Sequence, residues 1–255
     1  VLNILLVVVL PTAVVIAVTL LVGRTRKAVS GDFDGDSMSF VGGVLNALFT
    51  VMLAFYVVFA WQNGDNVSSQ SSAEANALVD TYWQTKVEPA PDATVIGTLV
   101  KQYATDVVHR EWPLLDHGET DPKTEGTLDE LRNAVLALPT DNQAVNSARQ
   151  ISLQDLSTIT TNHRERVNAA TEGDNFTWFL LIGTILGAVV MLVFPLLIGL
   201  SARPTNVAGM AVLGVTLAVI VFVCVELLHP LHGFFGVDPS AYTDALAAIA
   251  ANGAG

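Results

Sequence analysis

The chain has 255 residues, a mean hydropathy of +0.51, 14% charged residues and a net charge of −12. That length allows one large domain or two modest ones, and the charged fraction is well below the quarter usual in soluble domains. The acidic balance excludes nucleic acid as a partner, because phosphate binding needs a basic footprint, and a lone cysteine, Cys224, excludes an intrachain disulfide.

Taken in chain order, residues 1–23 form an uncharged run long enough to cross a hydrocarbon core of ~30 Å. No basic region precedes the run and no small-x-small site follows it, so it reads as a retained span rather than a cleaved leader. The segment GDFDGDS (31–37) alternates Asp32, Asp34 and Asp36 like the opening of a calcium loop. Ser37 then stands where the loop needs glycine and Gly43 where it needs a bidentate glutamate, so the segment reads as a solvated loop. Residues 40–61 form a second apolar run, closed by Trp61 and Gln62 as an interfacial belt would be.

Residues 62–175 hold eighteen of the twenty-four carboxylates against eight basic residues. Their pattern is helical. NGDN (63–66) is a candidate break, and Ser71 to Glu74 reads as a capping box opening a helix with Leu78, Val79, Tyr82 and Trp83 on its stripe. Ile96, Leu99, Val100, Tyr103 and Val107 recur at three and four, as do Leu128, Leu131, Val135 and Leu138 before Pro139. Residues 116–126 read as a loop, and periodicity over 141–166 is weak. In HREWPLLDH (109–117), His109 and Glu111 are two apart and diverge on a helix, which predicts no metal site. Trp112 and Pro113 suggest instead a helix end docked on a neighbour. His163 has no nucleophile context, so no catalytic residue, enzyme activity or cofactor is expected.

The third apolar run, 176–200, carries Gly183 and Gly187 in a GxxxG that permits close helix contact. The fourth, 207–228, contains Glu226, with His229 and His232 following. Glu226 and His229 could share a face as a pH-sensitive pair, or Glu226 could already lie among headgroups. The tail from 237 to 250 has an apolar side of Tyr242, Leu246 and Ile249, suited to a membrane surface or to the insert. Arg24, Arg26, Lys27 and Arg203 in the short loops outnumber Arg164 and Arg166 near the insert's far end. The short loops are therefore predicted cytoplasmic, and the insert and both termini outside.

The expected fold is an all-α membrane protein with four transmembrane helices and a helical extramembrane insert between the second and third. Its divisions are a hairpin at 1–61, an acidic helical domain at 62–175, a second hairpin at 176–228 and a surface or amphipathic segment at 229–255. Three stretches taken together, EANALVDTYW (74–83), YATDVVHREWPLL (103–115) and LLHPLHGFFGVDPSAYTDAL (227–246), resemble the bestrophin-like family of bacterial integral membrane proteins. LAFYV (53–57) resembles the apolar stretch lining the bestrophin pore neck. The resemblance implies a homo-oligomer in the bacterial plasma membrane. It also implies an ion pore lined by the second span, through Ala47, Val51 and Phe55, with Phe59 one turn further on. An acidic insert would concentrate cations at the mouth, whereas the resemblance implies anions, so selectivity stays open. The other reading is a non-conducting accessory or scaffold protein that binds an envelope partner through its outer helices. It is favoured by the scarcity of polar residues along the second span. Membrane lipid is a partner in both.

Overall fold

The computed structural model describes residues 35–171, 175–197, 203–231 and 233–253, and all regular structure among them is helical. The expected first span (1–23), Asp32, Asp34 and His232 lie outside the described residues. Among the described residues, three helical stretches are long and apolar enough to cross a membrane, and they fall in the second, third and fourth apolar runs. The chain divides into two compact units. The first comprises residues up to Trp61 with Asp174–Leu228, and the second comprises Gln62–Gly173 with His229–Gly255.

Helix α1, Gly35–Gln84, is fifty residues long and belongs to both units. NGDN does not break it, and the expected helix start at Ser71 is absent, because residue 71 already lies deep inside α1. Each unfavourable residue costs under about 1 kcal/mol in a helix interior, too little to interrupt a helix already nucleated in the apolar stretch. Pro89 sets the end. It forces Glu88 into an extended conformation (φ −85°, ψ 159°) after one 3₁₀ turn, Thr85–Val87.

In the first unit, α1 packs with α6 (Asn175–Leu197) and α7 (Pro204–Leu227). The glycines set the approach of α1 and α6. A Cβ on Gly187 would meet the Phe49 ring at 2.8 Å, one on Gly183 would overlap Met52 Sδ, and one on Gly42 would meet Phe194 at 2.8 Å. The Tyr56 hydroxyl donates to the Cys224 carbonyl, and Phe59 meets Phe176 edge-on with centroids 5.0 Å apart. Without a hydrophobic drive between helices in lipid, such close contacts and hydrogen bonds supply the association.

The second unit is built from the rest of α1, α2 (Ala90–Asp106), the short α3 (Trp112–Leu115), α4 (Pro122–Leu136), α5 (Gln143–Thr171) and α8 (Ser240–Gly253). Leu78, Ile96, Val100, Tyr103, Leu128, Leu131, Val135, Leu138 and Ile159 fill its core. The stretch expected to be a loop as far as residue 126 ends at Asp121. That residue caps α4 by accepting the Lys123 N–H at 3.3 Å, and Pro122 occupies the first turn, where its missing N–H costs nothing. Asn142 caps α5, accepting the Ala144 N–H at 2.9 Å. The tail joins this core: Tyr242, Ala245 and Ile249 of α8 are buried in it and Leu246 packs at its edge. Of the two sites open to the tail, it takes the one against the insert.

Candidate functional site

Arg166 lies in the second unit, fully buried, inside a ring of polar side chains drawn from α1, α2, the turn before α3, α5 and α8. Helix α5 presents Val145, Ala148, Ser152, Leu156, Ile159, His163 and Arg166 at steps of three and four, one continuous inward stripe. The last two aim at Glu74 of α1, Tyr103 of α2, Glu111 and Tyr242 of α8. Arg166 Nη1 donates to Glu74 Oε2 and to the Tyr242 hydroxyl, and Nη2 donates to Glu111 Oε2 at 2.5 Å. The Tyr103 hydroxyl donates to Glu74 Oε1 at 2.6 Å. His163 Nδ1 sits 3.2 Å from that hydroxyl, 3.3 Å from Arg166 Nη2 and 3.5 Å from Glu111 Oε1. The guanidinium also lies over the rings of Trp112 (5.6 Å) and Tyr242 (5.1 Å), a cation–π arrangement that strengthens when desolvated.

Glu111 reaches this ring through a local change of helix type. Residues Val107–Glu111 form a π-turn in which the Trp112 N–H bonds to the Val107 carbonyl, five residues back. Pro113 is the cause. In an α-helix its ring would clash with the carbonyl four residues earlier, and widening the preceding turn relieves the clash. The extra residue in that turn lets neighbours Glu111 and Trp112 both face inward, leaving His109 exposed. The divergence of His109 from Glu111 is as expected, but the role of Glu111 is one the sequence pattern did not suggest.

A guanidinium among carboxylates in a buried core governs the titration of its neighbours. Burial pushes Glu111 up, with Arg166 pulling against it. Burial and Arg166 both push His163 down, so the imidazole is held neutral. Burial and the Glu74 charge raise Tyr103 and Tyr242 well above the ordinary tyrosine range. Burial alone would lower Arg166, but Glu74, Tyr242 and Glu111 more than offset it and keep the cation charged. Every member of the ring is buried. Its chemical capacity is to fix α1, α2, α5 and α8 to one another. Beside it, Arg110 Nε donates to Asp121 Oδ2 at 3.0 Å and fixes the start of α4, holding the Asp121 carboxyl below its usual range.

The other sequence-predicted residues are dispersed. Ala47, Val51 and Phe55 are exposed on one side of α1, opposite the side that packs on α6 through Phe49, Met52 and Tyr56. Phe59 lies on the packed side, against Phe176. Gly183 and Gly187 form the α1–α6 contact described above. Glu226 is half-buried in α7 of the first unit, whereas His229 is exposed and belongs to the second. Among the described residues no three His, Cys, Asp or Glu side chains are grouped as metal ligands.

A family model described as the bestrophin-like domain matches residues 6–242. No curated protein and no solved structure matches the chain.

Proposed function

The chain belongs to the bestrophin-like family of membrane proteins, and from that premise we propose that it assembles into a homo-oligomer that conducts ions through a pore lined by α1. The observation that supports this reading is the two-sidedness of α1 in the first unit. One side is committed to α6 and α7. The other runs through Ala47, Val51, Ala54, Phe55 and Val58 and is exposed, Val51 to 53% and Phe55 to 55%. Asn46 and Thr50, one turn apart, are exposed on the flank of this side, and add polar groups to a surface otherwise suited to gating by dewetting.

In this reading Phe55 is the bulkiest side chain of the constriction. The second unit, with its acidic excess, stands outside the lipid of a bacterial plasma membrane, and the Arg166 ring keeps that unit rigid. The test is conductance of the purified full-length protein in planar bilayers. Phe55→Ala should raise the open fraction severalfold, while Phe179→Ala, exposed elsewhere on the first unit, leaves it unchanged. Silent bilayers from well-folded oligomer would favour an accessory or scaffold protein that binds an envelope component through the second unit.

A further inference from the structure

One end of the membrane unit is identified by its internal contacts. The Tyr56–Cys224 hydrogen bond and the Phe59–Phe176 ring contact bring together the end of the apolar part of α1, the start of α6 and the end of α7. Exposed aromatic side chains cluster in those same segments: Trp61 at 66%, Trp178 at 48% and Phe176 at 49%. Trp, with its amphipathic ring, is the residue type enriched where a span meets the headgroups.

The chain leaves α7 at Leu227 and at once builds a closed loop. The Val237 N–H donates to the Pro230 carbonyl at 2.9 Å, and the Gly236 N–H to the Gly233 carbonyl at 3.4 Å. Gly233 has φ +86°, a left-handed conformation that glycine adopts without strain. Leu231, at the loop's base, is buried. At its tip Phe234 is 86% exposed and Phe235 48%, their rings edge-to-face at 5.1 Å. Residues 229–237 contain no Asp, Glu, Lys or Arg, although the insert is crowded with carboxylates.

We propose that this loop is a membrane-interface anchor, with Phe234 and Phe235 seated in the headgroup region of the leaflet where α7 emerges. Chain length permits it, since seven residues span at most about 25 Å. Charge permits it, since no fixed charge enters the interface with the rings. The closed backbone favours it, because a loop already pinned at its base loses little conformational freedom on inserting two side chains.

The test places a bimane label at Phe234→Cys in a Cys224→Ala background of the full-length protein, reconstituted into phosphatidylcholine liposomes. The comparison site is Asn133→Cys, exposed on α4. Doxyl-lipid quenching at 234 should exceed that at 133 at least twofold, with iodide quenching at 234 correspondingly weaker. Equal iodide quenching at the two sites would overturn the proposal by placing the loop in water. Protection of 234 from both quenchers would overturn it too, by assigning the loop to a contact with a second copy of the chain. Should Phe234→Cys misfold, Phe235→Cys carries the same two readings.

Discussion

Replacing Arg166 with methionine keeps most of the side chain's volume and removes its charge. Glu74 and Glu111, both buried, then lose the cation that serves them, and Tyr242 loses its donor. Breaking a buried ion pair on one side costs about 3–5 kcal/mol, mainly because the remaining charge is left uncompensated. A whole domain is stable by only about 5–15 kcal/mol. At about 1.4 kcal/mol per factor of ten, amide exchange in α8 and in residues 103–115 should accelerate by roughly 10²- to 4 × 10³-fold. Hydrogen exchange by mass spectrometry on the full-length protein in nanodiscs reads this directly. The deficit should shrink as pH falls, since burial already pushes the Glu111 carboxyl up, and protonation removes the orphaned charge. The triple variant Glu74→Gln/Glu111→Gln/Arg166→Met leaves no buried charge in the ring and should recover at least tenfold of the lost protection. The reasoning is refuted if Arg166→Met costs less than fivefold, or if the triple variant exchanges as fast as the single one.

The α1–α6 contact makes Gly187→Leu an overpacking change against Phe49. It should cost about 1–3 kcal/mol by thermal unfolding in detergent, whereas Gly43→Ala, whose Cβ meets no atom within 4 Å among the described residues, should not destabilise and should gain up to about 1 kcal/mol in helix propensity. Glu88 is buried with neither carboxylate oxygen hydrogen-bonded to another described residue, and burial, then Asp92, raises its carboxyl to about 7. A raised carboxyl favours the folded state when protonated, so its contribution is complete below the unfolded value near 4.5 and is lost as pH rises through 7. Glu88→Gln should therefore stabilise the protein at pH 8, by about 1 kcal/mol after allowance for solvent screening, and have almost no effect at about pH 3.5, below the unfolded value. Melting curves at the two pH values decide it.

The helical class and most of the core were legible because they rest on period and length. Ile96, Val100, Tyr103, Leu128, Leu131 and Val135 recur on a helical period, and all are buried. The glycine pair at 183 and 187 was legible for a similar reason, since small residues four apart lie on one helix face. The Arg166 ring was hidden because its stripe on α5 carries Ser152, His163 and Arg166 at inward positions, where a search for apolar periodicity registers only weakness. Ser-x-x-Glu makes Glu74 read as a capping residue, and nothing local reveals that the helix already begins at Gly35. Pro113 was the one available clue to Glu111, since a proline inside a helix forces a rearrangement in the turn before it. The three sequence stretches that carry the family resemblance supply Glu74, Tyr103, Glu111 and Tyr242, so the resemblance and the buried ring fall on the same residues.

Imaging the purified assembly in lipid nanodiscs by electron cryomicroscopy tests the pore most directly, because it shows both the symmetry and what faces the axis. The expected result is a closed ring of identical subunits with an axial opening, α1 innermost, and Val51 and Phe55 directed toward the axis. A monomer, a dimer, or a ring in which the Ala47–Phe55 side of α1 meets lipid would contradict it.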